Sequence, residues 1–235
     1  MIMSTIAQNL QAVDHTIVAA ANACGRSRDD VQLLAVSKTF PPEAVVEAID
    51  AGQRAFGENY LQEALDKQHA VAAAAPGIHL EWHFIGPIQS NKTRPIAANF
   101  AWVHTVDRLK IAQRLSEQRP AGMTPLNICL QVNISGEASK SGITLDELPE
   151  LARAVALLPH LRLRGLMAIP EPELDVARQR APFARLRAML KELREDGIAM
   201  DTLSMGMSAD MAAAVAEGAT IVRVGSAIFG SRHYE

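Results

Sequence analysis

Eight short, mostly apolar and β-branched runs recur along the chain, and each but the last precedes a longer stretch with helical periodicity. The runs are Gln32–Val36, Ala55–Gly57, Trp82–Ile85, Trp102–Val106, Asn127–Asn133, Leu163–Ile169, Thr202–Met205 and Ile221–Val224. Strands that alternate with helices pair in parallel through right-handed crossovers. Eight such units in 235 residues predict one closed (β/α)8 barrel of the TIM type, a single α/β domain over residues 1–235, with an extra N-terminal helix over about residues 4–23. An open doubly wound sheet is the alternative, but no G-x-G-x-x-G follows the first strand.

The punctuation fits. Pro41 and Pro42 open the first crossover helix and Gly52 closes it. Asp107 is expected to cap another helix and Ser208 the one that reaches Gly218, while Thr144 and Glu147 have capping-box spacing. Basic and acidic residues number 23 and 26, for a net charge of −3, which argues against a nucleic-acid partner. No run is long and apolar enough to span a bilayer, and the first residues lack the pattern of a signal peptide. Cys24 and Cys129 have neither disulfide-framework nor metal-ligand spacing. The expectation is a cytoplasmic protein without membrane, nucleic-acid or metal sites.

In such a barrel, functional groups gather where strands end. Lys38 follows Leu33-Leu34-Ala35-Val36, so its amine is expected at the barrel mouth with its stem beside apolar side chains. Partial desolvation lowers a lysine pKa, as a Schiff-base amine requires; a snorkelling surface lysine is the plainer reading. Gly206-Met207-Ser208 and Gly225-Ser226 end the last two strands and are expected to lead into helix N-termini, a common phosphate cradle in barrels. Ordinary capping explains Ser208 alone but not both loops. Arg223, inside Ile221-Val222-Arg223-Val224, should face the barrel interior, where it needs an acceptor: a buried carboxylate or a ligand ring nitrogen. Lysine, phosphate cradle and arginine on one face suggest a phosphorylated aldehyde cofactor. His83 and His104 read as hydrogen-bonded core residues, and Glu58 as either an orienting group or a helix-start carboxylate.

Several segments resemble the pyridoxal 5′-phosphate (PLP) homeostasis protein family, also called the YggS or PROSC family. They are Trp82-His83-Phe84-Ile85-Gly86-Pro87-Ile88-Gln89-Ser90-Asn91-Lys92, Ala35-Val36-Ser37-Lys38-Thr39, Phe56-Gly57-Glu58-Asn59-Tyr60, Gly165-Leu166-Met167-Ala168-Ile169-Pro170, Leu203-Ser204-Met205-Gly206-Met207-Ser208 and Val222-Arg223-Val224-Gly225-Ser226-Ala227-Ile228-Phe229-Gly230. They run in family order over nearly the whole chain.

The resemblance implies a barrel like the N-terminal domain of alanine racemase, with PLP as a Schiff base on Lys38. It places Arg223 at the pyridine nitrogen, Asn59 beside the cofactor, and the phosphate among Met207, Ser208, Gly225 and Ser226. It departs at Phe40, where many relatives carry a second lysine, and that puts any accessory transfer role of that lysine in doubt. Lys140 resembles another family lysine, although a solvated lysine is the plainer reading.

The implied function is buffering or delivery of PLP in vitamin B6 homeostasis by a monomer, with apo-PLP enzymes as candidate recipients and no robust catalysis. Alanine racemase takes a tyrosine from a second domain, whereas this sequence offers only Tyr60 and Tyr234. A single lysine cannot work both faces of an α-carbon. The competing readings are a PLP-dependent amino-acid racemase and a Schiff-base aldolase that uses Lys38 without PLP.

Overall fold

The computed structural model describes residues 5–136 and 141–231. Eight parallel strands, β1 (Gln32–Val36), β2 (Ala55–Glu58), β3 (Glu81–Phe84), β4 (Trp102–Val106), β5 (Leu126–Gln131), β6 (Leu161–Met167), β7 (Thr202–Ser204) and β8 (Ile221–Val224), close into a barrel in sequence order. The helices are α1 (Thr5–Ala23), α2 (Pro42–Asp50), α3 (Leu61–Ala74), α4 (Thr93–Asn99), α5 (Leu109–Gln118), α6 (Leu148–Ala156), α7 (Val176–Glu195), α8 (Met211–Ala216) and α9 (Ser226–Phe229). The expected barrel and N-terminal helix are both present. The strands β1, β4 and β8 have the expected bounds, and the other five shift at their ends.

Strand alternation sorts the core into two compartments. Leu33, Ala35, Phe56, Trp82, Phe84, Val103, Ile128, Leu130, Leu166, Leu203, Val222 and Val224 belong to the large apolar cluster shared with the helices. Their neighbours of opposite parity, Leu34, Ala55, Trp102, Cys129, Met167 and Ile221, form a separate small cluster inside the barrel. Burial pushes the Cys129 thiol up to about 12, so it packs as a small apolar group. The inward parity of β1, β2 and β8 continues to Lys38, Asn59 and Gly225.

Three expected caps form differently. Arg108, not Asp107, is the N-cap of α5, and its guanidinium takes the Asp107 carboxylate at 2.8 Å. Asp210, not Ser208, precedes α8, so a turn separates Gly206 from the helix. Thr144 and Glu147 do exchange backbone-to-side-chain bonds, at 3.4 Å each, but regular helix starts only at Leu148. A short polar side chain bonds its local backbone in a turn as readily as at a helix start, so spacing alone does not separate the two.

Helix α1 lies over the β8–β1 seam, where it contacts α8, α9 and α2. Asn9 Nδ2 donates to the Ile228 carbonyl at 2.8 Å, which fixes α9 from outside.

The β6–β7 contact depends on a missing side chain. A Cβ on Gly165 would stand 1.7 Å from the Thr202 carbonyl oxygen, and Gly165 pairs with Thr202 in the ladder. Backbone on both sides leaves nothing flexible to yield. Gly165→Ala is expected to cost about 3 kcal/mol of stability through forced strand separation, read as a lower midpoint in urea denaturation.

Candidate functional site

All eight strands point the same way, so their C-terminal ends share one face of the barrel. The predicted site residues occupy a continuous arc of that face, because β7, β8, β1 and β2 are neighbours in the sheet. Lys38 sits half-buried just past β1, and Asn59 half-buried at the end of β2. Gly225 is buried at the end of β8, whereas Met207, Ser208 and Ser226 are exposed at the rim. Arg223 pairs with Leu34 across the β8–β1 seam, one strand from Lys38. Lys140, Tyr234 and His233 lie outside the described residues.

Lys38 occupies a tight turn. The Phe40 N–H donates to the Ser37 carbonyl at 3.1 Å, and Thr39, in the third position of the turn, has φ +67°. Phe40 packs its ring against Phe229 of α9 at 5.2 Å between centroids. Phe40 therefore forms an apolar bridge between the Lys38 turn and the β8 loop.

Asn59 is fixed by the loop after β3. The Ile85 N–H donates to the Glu58 carbonyl at 2.8 Å, and a Cβ on Gly86 would lie 2.2 Å from the Asn59 carbonyl oxygen. Only glycine permits that approach. The Asn59 side-chain Oδ1 is buried and has no hydrogen-bond partner. A buried amide oxygen without a donor is uncommon and suits a ligand that supplies one.

The rim loops offer backbone and hydroxyl donors, of which the Met207 amide is engaged within its own loop, donating to Asp210 Oδ1 at 2.6 Å. The first turn of α9 leaves the Ser226 and Ala227 N–H groups without intrahelical acceptors by position, and Ser208 and Ser226 are exposed. Helices of four and six residues have small dipoles, so any anion here is held mainly by individual N–H and O–H donors.

Arg223 finds its acceptors among neutral groups, not in a buried carboxylate. Its Nη1 donates to Ser204 Oγ at 2.8 Å and its Nη2 to the Ala168 carbonyl at 3.0 Å. From Ser204 the chain continues to His104 Nδ1 at 2.7 Å. His104 Nε2 lies 2.8 Å from His83 Nδ1, and His83 Nε2 lies 2.9 Å from Glu81 Oε1. The two ends set the direction, since a guanidinium only donates and an ionised carboxylate only accepts. Ser204 therefore donates to His104, His104 to His83, and His83 to Glu81, with both imidazoles neutral.

Burial agrees with that assignment. It pushes His83 below its ordinary value and His104 well below, the latter helped by the charge of Arg223. The hydrogen bond from His83 holds Glu81 down to about 2. Burial lowers Arg223 to about 10, which leaves it a cation at neutral pH.

The sequence reading missed Lys67, Glu63, Ser204 and Glu81. Lys67 and Glu63 form an i,i+4 pair on α3, which in a sequence looks like an exposed ion pair. In the structure the Lys67 side chain is 2 % exposed and its Nζ contacts Glu58 Oε1 at 2.6 Å. Glu81 and His83 share a strand face by i,i+2 spacing, a signal that was legible. Among the described residues, no group of three or more His, Cys, Asp or Glu is placed to hold a metal, and no helix is long and apolar enough to cross a membrane.

Comparison with known proteins gives a consistent set of likenesses. Residues 8–233 match the alanine racemase N-terminal domain family. The chain is 64% identical over 232 residues to the pyridoxal phosphate homeostasis protein of Pseudomonas aeruginosa, covering 99% of this chain and 98% of that protein. The structure of PipY from Synechococcus elongatus with PLP bound superimposes with a TM-score of 0.82 at 37% identity, over 96% of this chain and 100% of PipY. Alanine racemase from Corynebacterium glutamicum, at 18% identity and a TM-score of 0.71, shares the fold over 99% of this chain and 62% of its own.

The interior histidines predict a pH dependence of stability. Their folded pKa values lie below the unfolded value, so the unfolded chain binds more protons as the pH falls. Stability should drop below about pH 6.5, with a slope of up to about 1.4 kcal/mol per pH unit for each histidine. Glu81 adds a further loss in stronger acid, below about pH 4.5. Urea denaturation at about pH 7.5 and about pH 5.5 should show the drop in the native protein and a smaller one in a His83→Gln, His104→Gln variant.

Proposed function

This chain belongs to the alanine racemase N-terminal domain family and, within it, to the pyridoxal phosphate homeostasis proteins; from that membership we propose that it binds PLP at the barrel mouth, as a Schiff base on Lys38, and buffers or delivers the cofactor in the cell. The observation that carries the reading is the β8–β1 seam. It brings an inward-facing lysine turn, a caged guanidinium and the donor-rich Gly225-Ser226 loop onto adjacent strands. The residues also fit the group, since Asn59 Oδ1 is a buried acceptor lacking a donor.

When bound, PLP supplies an aldehyde and an electron-accepting ring. Lys38 would hold it through its ε-amine, the nucleophile that an aldehyde requires. Ser208, Ser226 and the first amides of α9 hold the phosphate. Arg223 presents a donor-only cation to the ring nitrogen, with Nη1 and Nη2 already steadied by Ser204 and Ala168. A cation there disfavours protonation of that nitrogen and keeps the ring a weak electron sink, which supports a carrier more than a racemase. The reading includes a cytoplasmic monomer with apo-PLP enzymes as recipients.

Purified protein incubated with PLP and reduced with borohydride should yield a phosphopyridoxyl peptide containing Lys38. Lys38→Ala should lose the adduct and the associated visible absorbance while retaining weaker, phosphate-anchored binding. Arg223→Glu should shift the absorbance by favouring a protonated ring nitrogen. Rapid, saturable turnover in a panel of amino acids would instead favour the racemase reading. An adduct formed with an aldehyde substrate in PLP-free protein would favour the aldolase.

A further inference from the structure

Thr39 is a β-branched residue at φ +67°, a backbone region such side chains rarely occupy. It stands in the third position of the turn Ser37–Phe40, where glycine or asparagine is usual. A conformation of this kind persists only when its surroundings over-determine it. Here the surroundings come from helix α3 and from Glu58 at the end of β2. The Thr39 N–H donates to Glu63 Oε1 at 2.6 Å. The Ser37 carbonyl accepts from Lys67 Nζ at 2.7 Å. Lys67 also bonds Glu58 Oε1 at 2.6 Å and Glu63 Oε1 at 2.8 Å, and Ser37 Oγ donates to the same Glu58 oxygen at 2.6 Å.

Both peptide groups that flank Lys38 are thus tied to α3, one through a carboxylate and one through an ammonium. Lys67 and Glu58 are nearly solvent-free, with side-chain exposures of 2 % and 0 %. An ion pair taken that far out of water is costly to bury and adds little to net stability compared with apolar packing. Its geometry is better explained by what it holds. The parity of β1 turns Lys38 inward, and the clamp fixes the direction in which its side chain leaves the backbone.

We infer that Lys67, Glu63 and Glu58 are positioning residues for Lys38: they hold the strained turn that aims its amine at the bound aldehyde. The inference rests on the reading of Lys38 as the amine that captures PLP. None of the three side chains is assigned a contact with the cofactor. Their loss should therefore slow covalent capture while leaving the phosphate and ring contacts in place.

Two ligands separate those effects. PLP reports capture, through the rate at which the borohydride-trapped Lys38 adduct accumulates. Pyridoxine 5′-phosphate, which has no aldehyde, reports the non-covalent site alone. Glu63→Ala should slow capture by about tenfold or more, the scale expected when a reacting group loses its orientation, with unchanged affinity for pyridoxine 5′-phosphate. Glu63→Gln, which keeps an acceptor for the Thr39 N–H, should recover much of the rate. Lys67→Met combined with Glu58→Gln, which removes the ammonium without stranding a buried carboxylate, should behave like Glu63→Ala.

Capture at the native rate in folded Glu63→Ala would overturn the inference, as would a proportional loss of both ligands. If the double variant does not fold, Glu63→Ala decides alone, since that side chain is 32 % exposed. Absence of a Lys38 adduct in the native protein would refute the Schiff-base reading itself and is thereby distinguishable from failure of the clamp.

Discussion

A guanidinium inside a barrel can only donate, and that asymmetry organises the interior of this protein. Arg223 directs its hydrogen bonds to two neutral acceptors, Ser204 Oγ and the Ala168 carbonyl. The Ser204 branch runs on through His104 and His83 to Glu81, which opens β3 at the opposite end of the barrel. With one proton on each imidazole every link has a donor and an acceptor. A second proton on His83 would set two ring N–H donors against each other at the His83–His104 contact. Breaking one partner of a buried, fully satisfied polar network costs about 1–3 kcal/mol for the stranded group, so each member restrains the next.

Under the proposed function, that restraint matters at the mouth, where the ring nitrogen of the cofactor would meet Arg223. A carboxylate at such a position draws a proton onto the nitrogen, whereas a held cation discourages it. The chain of neutral groups behind Arg223 keeps its fork in one orientation without supplying a proton of its own. His83 is further fixed by stacking on Trp102, with ring centroids 5.4 Å apart, and Arg164 covers the Trp102 ring at 4.7 Å. The interior is therefore packed as well as bonded, which leaves the imidazoles little freedom to reorient.

The mouth is built by a different logic. Lys38 leaves a turn whose strain is borne by α3, and Phe40 ties the same turn to α9 through Phe229. The outer helices thus reach the C-terminal face through loops, while the barrel interior reaches it through Arg223. Asn59 is placed by a third device, the close approach that Gly86 alone permits. Three unrelated devices converge on one arc of strands, and one of them, the Phe40–Phe229 contact, reaches into α9.

Much of this was legible in the sequence. Alternating apolar runs and helical stretches determined the barrel, because a parallel strand must be crossed back to by a helix; Lys38, Asn59 and the two glycine-bearing loops fell at strand ends that closure brings together, and Arg223 inside the last strand. The motif resemblance added the cofactor. Only the tertiary structure decided how these groups are held. Lys67 is nine residues from Glu58 and thirty from Ser37, and His104 and Ser204 are a hundred apart. A local pattern cannot show that an i,i+4 ion pair is turned inward beneath a loop. Nor can it show that Asp210, not Ser208, takes the turn before α8, since both are short polar residues with similar local hydrogen-bonding reach. Partner choice among such groups depends on which ones the closed barrel brings within about 3 Å, and that distance is set by packing across the whole chain.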